Sequence, residues 1–235
     1  MLAGQDRLLP DEDRSKVAQV LMTTVDWLND VPALVGTVSF AATAVLALAP
    51  RGIDLLTACV MGVLTAIGGG TLRDLILDQP VTWSRDTDVL WLALIASLIT
   101  FYAHRFASKR KVSTLLAYLD GLGASLFAIQ GADKTWSLGF GLPLAPVMLG
   151  IITAIGGGLI RDVLAGRKTL LMKRELYAIP VSLGCIVYAI WLSTFPQQRT
   201  AAALVCMGLI VLFRSASIRW SLTVPLWFRL PDAHR

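Results

Sequence analysis

"TAIGGGTLRD" runs from Thr65 to Asp74, and "TAIGGGLIRD" runs from Thr153 to Asp162. The two phrases differ only where Thr71 and Leu72 stand against Leu159 and Ile160. Consecutive glycines each cost a helix about 1 kcal/mol relative to alanine, and an Arg-Asp pair is expensive inside lipid. A chain that writes both features twice, at the same offset, carries a duplication. The match extends upstream, where "GTVSFA" from Gly36 parallels "GASLFA" from Gly123. The first pair of phrases is offset by 88 positions and the second by 87, so the copies are in tandem with one inserted residue.

The duplicated phrases lie in a strongly apolar chain. Of 235 residues, 55% are hydrophobic and only 16% charged, with a mean hydropathy of +0.66, a composition of integral membrane proteins. The net charge of +5 does not point to nucleic acid, because the basic residues sit in short segments between apolar runs and no nucleic-acid motif accompanies them. Cys59, Cys185 and Cys206 are scattered through apolar stretches, which suits packing rather than a disulfide framework or a metal site. His104 and His234 give no metal-ligand spacing, and no nucleophile elbow, phosphate loop or dinucleotide fingerprint is present. The chain is therefore not expected to be an enzyme, and no cofactor is expected.

A helix needs ~20 largely apolar residues to cross the hydrocarbon core. Seven segments qualify, near 31–49, 54–77, 88–106, 112–131, 142–165, 175–195 and 200–216. The expected fold is all-α, an integral membrane protein of seven transmembrane helices. Residues 1–30 are polar, contain "PDEDRSK" and lack the features of a signal peptide, so the N-terminus is expected to be retained. Val17, Val20, Leu21, Val25 and Leu28 recur at helical spacing, which fits either a short amphipathic helix on the membrane surface or an extension of the first span.

Seven spans place the termini on opposite sides. Arg7, Arg14, Lys16, Arg73, Arg85, Lys134 and Arg199 fall on the N-terminal side, and the other side carries twice as many basic residues. The positive-inside rule then puts the C-terminus in the cytoplasm and the N-terminus outside it, with the chain in the inner membrane. Each copy of the repeat holds three spans. Three is odd, so the second copy enters the membrane from the opposite face, giving inverted three-helix repeats at 31–107 and 112–195, a seventh helix at 199–219 and a tail at 220–235.

From Asp54 to Ile67 a helix climbs about 21 Å, which puts the first triplet somewhat past the middle of a ~30 Å core. The second and fifth spans are expected to break or kink at Gly68, Gly69 and Gly70 and at Gly156, Gly157 and Gly158, because irregular backbone at that depth is tolerated where it faces protein or water. Close helix packing through small residues is the alternative. The charges Arg73, Asp74, Arg161 and Asp162 favour an internal pathway, since ionisable residues this deep face a bundle interior or water. Helical neighbours point in different directions, so Arg73 is not expected to satisfy Asp74. Asp120, in "YLDGLGASLFAIQG", is either a further pathway charge or a helix-start carboxylate near the interface. Thr37, Ser39, Thr65, Ser125 and Thr153 offer hydroxyls to the pathway, or bond to their own backbone. Trp83, Trp91, Trp136, Trp191 and Trp220 fall near span ends as membrane anchors.

The phrases "TAIGGGTLRDLIL", "DQPVTWSRD", "LDGLGASLFAIQGADK", "TAIGGGLIRDVLAG" and "KRELYA" together resemble the prokaryotic trimeric intracellular cation (TRIC) channel family, once catalogued as a duplicated glycine-transporter domain. The resemblance covers about residues 31 to 219. It implies a homotrimer with a pore for monovalent cations, chiefly potassium, inside each subunit, and second and fifth helices kinked at their glycines. Potassium or sodium would be permeant species rather than cofactors, and the partners would be other copies of the chain and membrane lipids. The inverted repeat suits a channel or a small-solute carrier of the glycine type equally well.

Overall fold

The computed structural model describes residues 11–104, 109–172 and 176–223. The expectations for residues 1–10 and for the tail beyond residue 223 fall outside the described residues. Among the described residues eight α-helices follow one another: α1 Asp11–Leu48, α2 Leu55–Ile76, α3 Thr82–Arg85, α4 Asp88–Ala103, α5 Lys109–Ser137, α6 Leu144–Leu164, α7 Ala178–Thr194 and α8 Arg199–Arg219. The one-turn α3 lies in the loop "DQPVTWSRD". The other seven coincide with the seven apolar segments, so the fold is the all-helical membrane bundle the sequence predicts. Stretches within α1, α2, α5, α6 and α8 are long and apolar enough to span, while α4 and α7 are shorter apolar helices of 16 and 17 residues. At 1.5 Å per residue even these reach about 24 Å.

The helix ends have local causes. Asp54 caps α2, its Oδ1 accepting from the Thr57 amide at 2.8 Å. After α2 the chain turns through Asp78 at φ 53°, and after α6 it turns through Gly166 at φ 56°, two positions related by the repeat. In both turns a backbone amide reaches back five residues, Gln79 to Asp74 at 2.9 Å and Arg167 to Asp162 at 2.8 Å. The left-handed turn is the same in both copies, with glycine in one and aspartate in the other. At the N-terminus, α1 is continuous from Asp11 to Leu48, so residues 11–30 extend the first span rather than forming a separate surface helix.

The repeats pack symmetrically. α1 lies on α5 and α2 on α6, each helix against its own copy, while α4 closes the first three-helix group and α7 the second. α8 packs chiefly on α5 and α7, and so belongs to the second repeat's side. Small residues fill the centre, with Ala41, Ala124, Ala128 and Ala154 buried around Phe40 and Phe127. Large apolar side chains such as Leu56, Ile99, Leu144, Val163 and Leu212 point outward, where lipid would cover them.

Of a break or a kink at the triplets, the break is absent. Neither α2 nor α6 breaks at its glycine triplet; each is helical throughout. The reason is what lies opposite. Each triplet faces the other across the α2–α6 contact, and the absent side chains let two backbones approach without giving up their own hydrogen bonds.

Candidate functional site

The crossing of α2 and α6 is set by four glycines in two symmetric contacts. A Cβ on Gly69 would fall well under 3.0 Å from the Thr153 carbonyl oxygen, and a Cβ on Gly157 would meet the Thr65 carbonyl oxygen in the same way. A Cβ on Gly156 would stand 3.1 Å from the Gly69 Cα, and one on Gly68 would stand 2.6 Å from the Ile160 Cδ1. Gly70 and Gly158 differ. Their nearest neighbours would be the Arg73 Nη2 at 3.8 Å and the Asp120 Oδ1 at 3.5 Å, so these two line space beside the crossing.

The charges lie one turn beyond. Asp74 is fully buried and accepts from Arg73 Nε at 2.8 Å, from Lys134 Nζ at 2.8 Å, and from the Thr82 amide and hydroxyl at 3.0 and 2.9 Å. Arg161 mirrors this in the second repeat. Its Nε donates to Asp162 at 2.9 Å, and its Nη1 donates to Asp120 at 2.8 Å and to the Thr43 hydroxyl at 2.9 Å. The expectation that neighbouring Arg and Asp would not meet is therefore wrong in both copies. An arginine is long enough to fold its guanidinium back beside the next residue, and in a low dielectric the pairing outweighs the cost of the bend. Lys134 and Thr43 add ties between the repeats. Asp120 lies well inside α5, which starts at Lys109, so it is not a helix-start carboxylate.

Two cavities flank the crossing at opposite ends. The first, of about 50 Å³, is lined by Thr37, Gly70, Thr71, Arg73, Thr82, Trp83, Val89, Phe127 and Gln130 among others. The second, of about 10 Å³, is lined by Ile155, Gly158, Leu159, Asp162, Thr169, Leu171 and Tyr177. They are copies of one another at the 88-residue offset, by which Gly70 becomes Gly158, Thr71 becomes Leu159, Trp83 becomes Leu171 and Val89 becomes Tyr177. The second is large enough for about one water molecule.

One charged residue lines each cavity, Arg73 the first and Asp162 the second, and behind the second lies a further buried charge. α8 places Arg214, fully buried, behind the Tyr177 that lines this cavity, with Nη1 donating to the Leu176 carbonyl at 2.9 Å and the guanidinium carbon 4.8 Å from the Tyr177 ring centre. Asp120 Oδ2, Tyr177 Oη and Arg214 Nε have no hydrogen-bond partner among the described residues. The repeat positions that answer to Asp120 and Tyr177 in the first cavity are Ala33 and Val89. Beyond the cavity, Arg51 donates to the Ala165 carbonyl and Arg167 to the Ala47 carbonyl at 2.6 Å, so the ends of α1 and α6 are joined from both sides.

The hydroxyls divide between the two readings the sequence left open. Thr65, Thr153 and Ser125 donate to carbonyls of their own helices, at Met61, Leu149 and Leu122. Ser39 is buried but borders neither cavity, whereas Thr37 lines the first. Trp83, read as a membrane anchor, instead lines the first cavity and donates to the Thr71 hydroxyl at 3.1 Å. Sequence reasoning missed Thr43, Thr82, Lys134, Tyr177 and Arg214. Thr82, Lys134 and Tyr177 lie inside phrases quoted above, but none of them was singled out; Thr43 and Arg214 lie outside those phrases.

Comparison with known proteins agrees with this geometry. The model of the family described as "Glycine transporter" matches twice, at residues 30–105 and 117–193, one match per repeat. The inner membrane protein YadS of Escherichia coli K12 is 38% identical over 202 residues, covering 86% of this chain and 95% of that protein. A TRIC structure described in work on conductance through TRIC cation channels is 31% identical, with a TM-score of 0.75 over 87% of this chain and 98% of the other. The TRIC orthologue from Rhodobacter sphaeroides superposes with a TM-score of 0.78 at 29% identity, over 83% of this chain and all of that one. With a duplicated family match and relatives this similar along nearly their whole length, the chain belongs to the twice-repeated glycine-transporter-domain family, which is the family of the prokaryotic TRIC channels.

Proposed function

We propose that the protein is a channel for monovalent cations, potassium foremost, with one pathway inside each subunit of a homotrimer. The observation that carries this reading is the pair of repeat-related cavities on opposite sides of the α2–α6 crossing, each lined by the last glycine of a triplet. A pathway along the seam between inverted halves would join them. The charges at the helix ends, Arg73, Asp74, Asp120, Arg161 and Asp162, are held in ion pairs, which lowers the barrier that bare arginines would raise against a cation.

In this reading Gly68 to Gly70 and Gly156 to Gly158 are the points where α2 and α6 bend on opening, and Arg73, Asp74, Asp120, Arg161 and Asp162 border the pathway. The protein sits in the inner membrane among its lipids with the C-terminus in the cytoplasm, as the excess of basic residues on that side supports. Solved relatives described as trimeric intracellular cation channels support the trimer and the cation.

The test is purified protein in liposomes, with potassium, chloride and glycine gradients applied in turn. Potassium flux without glycine uptake is the expected result. Saturable glycine uptake without potassium conductance would make the protein a carrier with alternating access of its two halves.

A further inference from the structure

At the centre of the molecule, between the two cavities, two aromatic rings meet. Phe40 of α1 and Phe127 of α5 occupy equivalent positions in "GTVSFA" and "GASLFA". Their centroids are 5.2 Å apart and their planes 65° apart, an edge-to-face pair. The pair lies on the approximate twofold axis, because a residue that touches its own copy can lie nowhere else. Its seat is also symmetric. A Cβ on Gly36 would stand 3.0 Å from the Phe127 ring, and a Cβ on Gly123 would stand 2.5 Å from the Phe40 ring.

One ring borders the first cavity, and the other is packed toward the second without lining it. Phe127 lines the first cavity, together with Thr37, Arg73 and Gln130. Phe40 is fully buried, and its other edge would stand 3.0 Å from a Cβ on Gly157, the neighbour of the Gly158 that lines the second cavity. Around the rings the surroundings are apolar, formed by Ala41, Ala124 and Ala128. A short apolar constriction between two wider cavities holds no continuous file of water, and an ion cannot shed its hydration to pass it. It conducts only when the rings part.

We propose that the Phe40–Phe127 pair is the constriction that divides the pathway into two half-channels, and that parting of the two rings opens it. This rests on the channel reading above. It assigns the gate to residues that carry no charge and lie apart from the ion-paired helix ends.

Two measurements test it. The first is single-channel recording of Phe40→Leu and Phe127→Leu in planar bilayers, leucine being chosen to keep the core filled. Open probability is expected to rise about two- to twelvefold, the equilibrium factor that corresponds to the attraction of one aromatic pair. The second needs no current. Phe127→Cys and Phe40→Cys, in a background with Cys59, Cys185 and Cys206 replaced by alanine, are exposed in sealed vesicles to a membrane-impermeant thiol reagent. Phe127→Cys is expected to react from the side of Lys134 and Phe40→Cys from the side of Arg167. Reaction of both from one side, or of neither, overturns the constriction. If the wild-type protein conducts potassium and both leucine variants keep its open probability, the gate is elsewhere while the channel reading stands. If the wild-type protein carries no potassium, the channel reading fails and this proposal fails with it.

Discussion

Arg161 and Asp120 join α6 to α5 through a bond of 2.8 Å between Nη1 and Oδ1, with neither side chain more than 1% exposed. Removing one partner of a buried pair costs ~3–5 kcal/mol, because the other is left charged and unsatisfied. Arg161 also serves Asp162, so its loss takes a partner from two carboxylates, whereas Asp120→Asn leaves Arg161 one of them. Arg161→Gln is therefore expected to lower the melting temperature in detergent more than Asp120→Asn does. Equal shifts would mean that the Asp162 contact contributes nothing.

The glycine triplets make a sharper contrast. Gly69→Ala and Gly157→Ala put a methyl group onto a carbonyl of the facing helix, an overpacking that costs ~1–3 kcal/mol or more. Gly70→Ala and Gly158→Ala meet no contact closer than 3.8 and 3.5 Å, and are expected to stabilise their helices by up to ~1 kcal/mol. Thermal unfolding separates the two classes. Potassium flux then tests bending. A stabilised Gly70→Ala with reduced flux is the expected result, and unchanged flux would leave the triplets as packing surfaces alone.

α8 is tied to the repeats at its start. Arg199 donates to both oxygens of Asp133, at 2.6 Å for the Nη2–Oδ2 bond, and the Tyr188 hydroxyl donates to Oδ1 at 2.5 Å. Tyr188→Phe is expected to cost ~0.5–1.5 kcal/mol. A double-mutant cycle with Arg199→Met is expected to give a coupling of ~0.5–3 kcal/mol, since both donors share one carboxylate. Additive effects in denaturant or thermal unfolding would show that the two donors act independently.

The bundle and its inverted halves were legible because they rest on patterns of length and order. Apolar runs fix the spans, and an odd number of spans per repeat fixes the inversion. Sequence left the triplets open between a break, a kink and close packing, because a missing Cβ serves a bend and a close contact equally well; the structure shows unbroken helices in close contact there. What decided between them was Thr65 and Thr153 across the crossing, a relationship no single stretch of sequence states. The Arg73–Asp74 and Arg161–Asp162 bonds were missed because helix spacing rules describe where side chains start, whereas an arginine ends several bonds away. Arg214 was hidden for a different reason. It comes from α8, which has no copy, and from sequence it looked like one more basic residue on the cytoplasmic side. Phe40 and Phe127 were visible in the upstream match but carried no chemistry to single them out.

Arg214 also leaves the two mouths unequal. One end of the seam meets threonines, a glutamine, a tryptophan and an arginine paired with Asp74, and the other meets an aspartate and a tyrosine pressed against a buried guanidinium that has no carboxylate partner among the described residues. In identical salt on both sides, such a conductor should rectify. Voltages of equal size and opposite sign would drive currents of different size, and Arg214→Leu should bring the current–voltage curve closer to a straight line through the origin. In a duplicated protein whose entrances are related by the repeat, one helix without a copy is then expected to give conduction a preferred direction.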